Sequence, residues 1–163
     1  IEAVPFDLDQ ANRQALAFYA EQVEKTAHVA PAYHSGLLAY DAWIQAMKTG
    51  KFNPFGLRYI AAVYADAKAH TSEYIESLSK DWNTSGAMQD AAHAAKQLAQ
   101  AFGEILDVLE QPPCGPEALG NPVGPAQAAA LVPLLANARA IEQRQLDLVK
   151  QAIRNAPACP DHR

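Results

Sequence analysis

Met88, Ala91, Ala95, Leu98, Phe102, Ile105 and Leu109 recur at alternating steps of three and four. An α-helix turns once in about 3.6 residues, so this spacing lays a single apolar seam along one side of a long helix. A seam of that length must be covered by other helices, as in a bundle. The loop QPPCGPEALGNPVGP then ends the helix, because its prolines and glycines cannot continue it.

The rest of the chain supplies the covering elements. Asp7 is placed to cap a first helix, with Gln10 in the capping-box position. Leu8, Asn12, Leu16, Tyr19, Val23 and Thr26 then form its inner face, and Pro31 breaks it. A second helix spans roughly Ser35 to Lys48 and closes at Gly50. Its only strongly polar positions, Asp41, Gln45 and Lys48, form one narrow stripe, which predicts a central helix buried on several sides. Asn53 and Pro54 start a third helix, with Leu57, Ile60, Tyr64, Ala67, Thr71, Tyr74 and Leu78 facing inward. A last helical region runs from about Pro125 to Asn155, with Leu131, Leu134, Ala138, Ile141, Leu148 and Ala152 inward. Pro133 costs roughly 3 kcal/mol in a helix interior, so a kink or a separate short helix is expected before it.

No repeat and no sustained strand-like alternation occurs, and no linker divides the chain. The expectation is an all-α fold, an antiparallel helical bundle of about five helices. It forms one domain over residues 1–163, with an irregular Pro-rich loop at 111–125 and a tail at 156–163. Thirty-four alanines permit close helix approach. The opening at Ile1 rather than Met reads as a processed protein or a piece of a longer one.

Charge excludes some functions. The formal net charge is −5 with acids and bases interspersed, so no basic patch offers itself to nucleic acid or anionic lipid. The longest uncharged stretch, Ala118 to Ala138, is interrupted by three prolines and two glycines and does not read as a membrane-inserted helix.

Cys114 and Cys159 lie in PPCGPE and PACPDH, both outside the helices. They suit a disulfide tying the tail to the long loop, which would favour an extracytoplasmic location, or two free thiols in a reducing cytosol. Cys159 has His162 at Cys-x-x-His spacing in the tail, but Cys114 has no such neighbour and no second pair completes a metal site.

Enzyme motifs are sparse. Glu-x-x-His, the ligand pair of di-iron bundles, is absent. Glu24/His28, Asp66/His70 and Gln89/His93 sit at i, i+4, but the first and third of these pairs fall opposite the apolar seams. No Cys-x-x-Cys-His points to haem, and Met47 and Met88 read as core fillers. GPEALGNPVG lacks the Lys-Ser/Thr of a phosphate loop. No catalytic residue, metal or cofactor is implied.

The candidate site is PAYHSGLLAYDAWIQAM, residues 31–47, where His34, Tyr40, Asp41 and Trp43 crowd together. A buried Asp41 needs a partner, such as Arg58, Lys48 or a neighbouring helix end. Tyr and Trp need hydrogen bonds for their polar tips. Such a set reads either as a structural network fixing helix register or as a pocket for a small molecule or a partner domain.

GLLAYDAWIQAM, FGLRYIAAVYADAKAHTSEYIESL, AAHAAKQLAQAFGEILDVL and the final amphipathic helix together resemble a helical module of bacterial proteins. In those proteins the module follows a domain related to papain-like cysteine peptidases or to the butirosin-biosynthesis acyltransferase. The most distinctive run is Gly-Leu-x-Ala-Tyr-Asp-x-Trp. The catalytic cysteine and histidine of such proteins have no counterpart here, so the resemblance implies an accessory role without chemistry. The expectation is therefore a non-catalytic module that binds a small ligand or packs on a partner domain, with His34, Tyr40, Asp41, Trp43 and Arg58 as its site. The alternatives are an exported sensor or binding protein closed by a Cys114–Cys159 disulfide and a metal- or haem-dependent enzyme.

Overall fold

In the computed structural model, which describes residues 7–25, 34–82, 86–110 and 123–156, every regular element is a helix. They are α1 (Leu8–Glu24), α2 (Leu37–Thr49), α3 (Pro54–Asp81), α4 (Gly86–Glu110) and α5 (Pro125–Asn155). The chain is an all-α antiparallel bundle.

The helix ends follow the local chemistry. Asp7 accepts a hydrogen bond from the Gln10 amide at 3.0 Å, and Asn53 accepts one from Gly56 at 3.1 Å ahead of Pro54. Gly50 closes α2 in the left-handed region, at φ 64°, where a side chain would be strained. At the start of α5 the Gln127 side chain accepts from the Gly124 amide at 3.1 Å. It also donates to the Val108 carbonyl at 3.2 Å, tying α5 to the end of α4.

The centre belongs to α4 and α5. All seven seam residues of α4 are buried, and Leu98, Phe102, Ile105 and Leu109 meet Leu131, Leu135 and Ala138 of α5 at one end of the bundle. At the other end Met88 and Ala91 pack with Val149 and Ala152. The early part of α4 thus lies beside the late part of α5, so the two run antiparallel. Leu57 and Ala61 join the first cluster, and Ile75 and Leu78 the second, which sets α3 antiparallel to α4.

On the other side of α5, α1 and α2 divide its length. Val23 of α1 packs near Leu146, while Met47 of α2 shares a cluster with Val123 and Ala128. Where they meet, Gly36 adopts φ 57°, and an added Cβ would lie 2.1 Å from the Val23 carbonyl oxygen. Only glycine fits this crossing. The start of α1 is held to the end of α3: the Tyr74 hydroxyl donates to Asn12 at 2.9 Å, and the Arg13 guanidinium lies 5.2 Å from the Trp82 ring centre.

Four expectations about the helices need correction. Leu8, expected on the inner face of α1, is 62% exposed at the start of that helix. α2 is a flanking helix, with only Tyr40 and Met47 buried; its many alanines and half-buried apolar residues made it read as central. α3 buries Leu57, Ala61, Ile75 and Leu78, whereas Ile60, Tyr64, Ala67 and Tyr74 are exposed. α5 runs unbroken through Pro133, which lies on its exposed side. The carbonyl left without its amide partner there is that of Ala129, also exposed, where water can satisfy it.

Candidate functional site

The misplaced stripe of α3 leads to the site. Ile60, Tyr64, Ala67, Lys68 and Thr71 form one wall of a cleft of about 610 Å³. Opposite them stand Tyr19, Gln22 and Val23 of α1 and Ala39, Tyr40, Ala42 and Trp43 of α2, with His34, Ser35 and Gly36 at the junction. Phe102 of α4 and Glu142 of α5 make the floor. The cleft exists because α1 and α2 pack on α5 while α3 packs on α4, and the described residues leave the space between those pairs unfilled.

Aromatic rings form much of the lining. Trp43 of α2 and Tyr64 of α3 meet with centroids 6.0 Å apart, bridging the two walls. Tyr64 stacks on Phe102 at 5.9 Å and 15°, and Tyr40 meets the same Phe102 at 6.2 Å.

Beneath the rings lies a small polar group. Glu142 is buried, and its carboxylate accepts from the Tyr40 hydroxyl and pairs with the Lys68 ammonium. Lys68 also lies 5.9 Å from the Tyr64 ring centre. Burial, and secondarily the charge of Glu142, pushes the phenols of Tyr19, Tyr40 and Tyr64 above their ordinary pKa of 10.0. All three therefore stay protonated at neutral pH as O–H groups. The Tyr19 hydroxyl is buried and, among the described residues, has no hydrogen-bond partner.

The residues picked from the sequence fare differently. Tyr40 and Trp43 line the cleft, and Tyr40 finds a partner for its hydroxyl. His34 is exposed at the rim. Asp41 is exposed and points away from the anticipated network: its carboxylate grips Arg139 of α5, with Nε at 2.9 Å and Nη2 at 3.1 Å. Arg58 does not line the cleft. Tyr19, Tyr64, Lys68 and Glu142 were absent from the sequence-based set. Cys114 and Cys159 lie outside the described residues.

Among the described residues no group of three or more His, Cys, Asp or Glu side chains is arranged to hold a metal ion. No described helix is long and apolar enough to cross a membrane. No family model, curated protein or solved structure matches the chain.

Proposed function

We propose that the chain is a non-catalytic helical module that binds a small, largely apolar ligand in the cleft between α1–α2 and α3. The observation that carries this reading is the lining. Ile60 and Tyr64 are 41% and 38% exposed, and they face Trp43 and Tyr40 across about 610 Å³. Sites for small molecules combine apolar walls of this kind with a few convergent polar groups. Exposing these side chains to water forgoes roughly 25 cal/mol per Å² of apolar surface, which a bound apolar molecule recovers.

A non-catalytic role suits the polar groups, since Tyr40 and Lys68 are both engaged by Glu142 and Thr71 donates to the Ala67 carbonyl at 2.8 Å. It also fits the resemblance to an accessory helical module. The direct test is a thermal-shift screen with uncharged aromatic and aliphatic compounds, repeated on Ala67→Trp. Ala67 is an exposed position of the cleft wall, so the substitution fills the space without entering the core. Stabilisation of the parent protein that disappears in Ala67→Trp supports the reading; stabilisation retained in the filled variant refutes it.

A second reading, packing against a partner domain, is favoured by Phe55, Tyr59 and Val63. These recur every fourth residue on α3 and are 59%, 63% and 48% exposed. The Cys114–Cys159 disulfide is a separate proposal, tested by intact mass with and without reductant.

A further inference from the structure

The cleft reading leaves open what polar group the ligand carries, and the partners already formed inside the cleft narrow it. The Tyr40 hydroxyl and the Lys68 ammonium both go to Glu142, the Thr71 hydroxyl goes to the Ala67 carbonyl, and Ser35 donates to the Lys25 carbonyl at 3.3 Å. Among the described residues that line the cleft, the Tyr19 hydroxyl is the one buried side-chain polar atom without a hydrogen-bond partner. A buried donor left in this state is costly, and a ligand that satisfies it gains that cost back.

The charges narrow the choice further. Lys68 and Glu142 neutralise each other, so among the described residues the buried lining offers no uncompensated charge to receive an ion. Entering a half-enclosed apolar space without a free counter-charge penalises a carboxylate and an ammonium alike. A carboxylate beside Tyr19 would also feel Glu142, whose charge already acts on that phenol. A second cation would compete with Lys68, which occupies both the carboxylate and the face of Tyr64.

We infer that the ligand is an uncharged molecule with an apolar, ring-bearing body and a carbonyl-type oxygen that accepts a hydrogen bond from Tyr19. This rests on the small-ligand reading above and specifies the chemistry of that site.

Four naphthalene probes of matched shape test it by isothermal titration: methyl naphthyl ketone, ethylnaphthalene, naphthoate and naphthylmethylamine. The ketone is expected to bind best, with ethylnaphthalene about tenfold weaker, the worth of one neutral hydrogen bond. Tyr19→Phe, which keeps the ring, should bring the ketone down to the level of ethylnaphthalene and leave ethylnaphthalene unchanged. If ethylnaphthalene binds as well as the ketone, or Tyr19→Phe leaves the difference intact, the acceptor inference is overturned while the cleft reading stands. Tightest binding by naphthoate or naphthylmethylamine overturns it as well. If no probe binds, the small-ligand reading itself fails and the inference falls with it.

Discussion

Lys68 of α3 and Glu142 of α5 form an ion pair beneath the cleft, with side chains only 12% and 5% exposed. The pair ties the α3 wall of the cleft to its α5 floor, and Tyr40 of α2 adds the opposite wall through its hydroxyl. Removing one member strands the other charge out of water. Lys68→Met is therefore expected to destabilise the fold by about 3 kcal/mol, measured by urea unfolding. The double variant Lys68→Met/Glu142→Gln should cost clearly less than the sum of the two single changes, because neither charge is then left alone. Additive costs would show that the two groups do not interact.

Tyr40 and Tyr19 share a residue type and differ in hydrogen bonding, which separates their expected effects. Tyr40→Phe removes a bond to a charged acceptor and should cost about 1.5–3 kcal/mol. Tyr19→Phe removes a hydroxyl that has no partner among the described residues, so without ligand it should be neutral or stabilising by up to about 1 kcal/mol. The order of melting temperatures, Tyr19→Phe at or above the parent and Tyr40→Phe below it, is the quantity to measure.

The same phenols govern the alkaline limb of stability. Their pKa values are raised in the folded protein, chiefly by burial and then by Glu142, from the ordinary 10.0. Below that value folded and unfolded chains hold the same phenolic protons and the contribution is constant. Above it the unfolded chain releases protons that the folded chain keeps, so stability is lost as pH rises. Melting temperature should fall beyond about pH 10, and the fall should be shallower in Tyr40→Phe.

Much of the architecture was legible. The α4 seam and the caps at Asp7, Asn53 and Gly50 could be read because each depends on local spacing or on one residue's conformational preference. The site was harder to see. On α3, Ile60, Tyr64 and Ala67 read as core because an apolar cleft wall and an apolar core face have the same helical spacing. Asp41 attracted notice as a lone carboxylate in an apolar helix, yet its ion pair with Arg139 lies at the surface. Glu142 was hidden in the polar run Glu142-Gln143-Arg144-Gln145, although a signal was present. Continuing from Leu131 through Leu135 and Ala138 in steps of four and three arrives at Glu142 and then at Gln145, also buried. Of these two buried polar residues Glu142 reaches the cleft, whereas Leu134, Ile141 and Leu148, in the neighbouring phase, are only half-buried.

Asp41 gives a contrasting test. Its ion pair with Arg139 is between side chains 49% and 37% exposed. Pairs of this kind contribute about 0–1 kcal/mol, so Asp41→Asn should barely change the unfolding midpoint, and less still at high salt. A loss comparable to that of Lys68→Met would return Asp41 to the centre of the network.

Gly36 controls how α1 and α2 meet at the cleft's edge. Gly36→Ala adds a left-handed alanine, costing roughly 1–2 kcal/mol by itself, and drives its Cβ into the Val23 carbonyl. The expected loss exceeds that figure, and the end of α1 must move to relieve the contact. Hydrogen exchange of the amides of Ala20 to Glu24 should therefore quicken relative to those in α4; unchanged exchange would mean the junction is not close-packed.

The most direct test of the central claim uses the two tryptophans, Trp43 in the cleft wall and Trp82 in the core cluster at the far end of α3. Their indole N–H signals are followed by two-dimensional nitrogen–proton NMR while methyl naphthyl ketone is added. The expected result is a saturable shift of the Trp43 signal with Trp82 unmoved. A shift at Trp82 instead, or no change at either indole, would contradict the assignment of the cleft as the binding site.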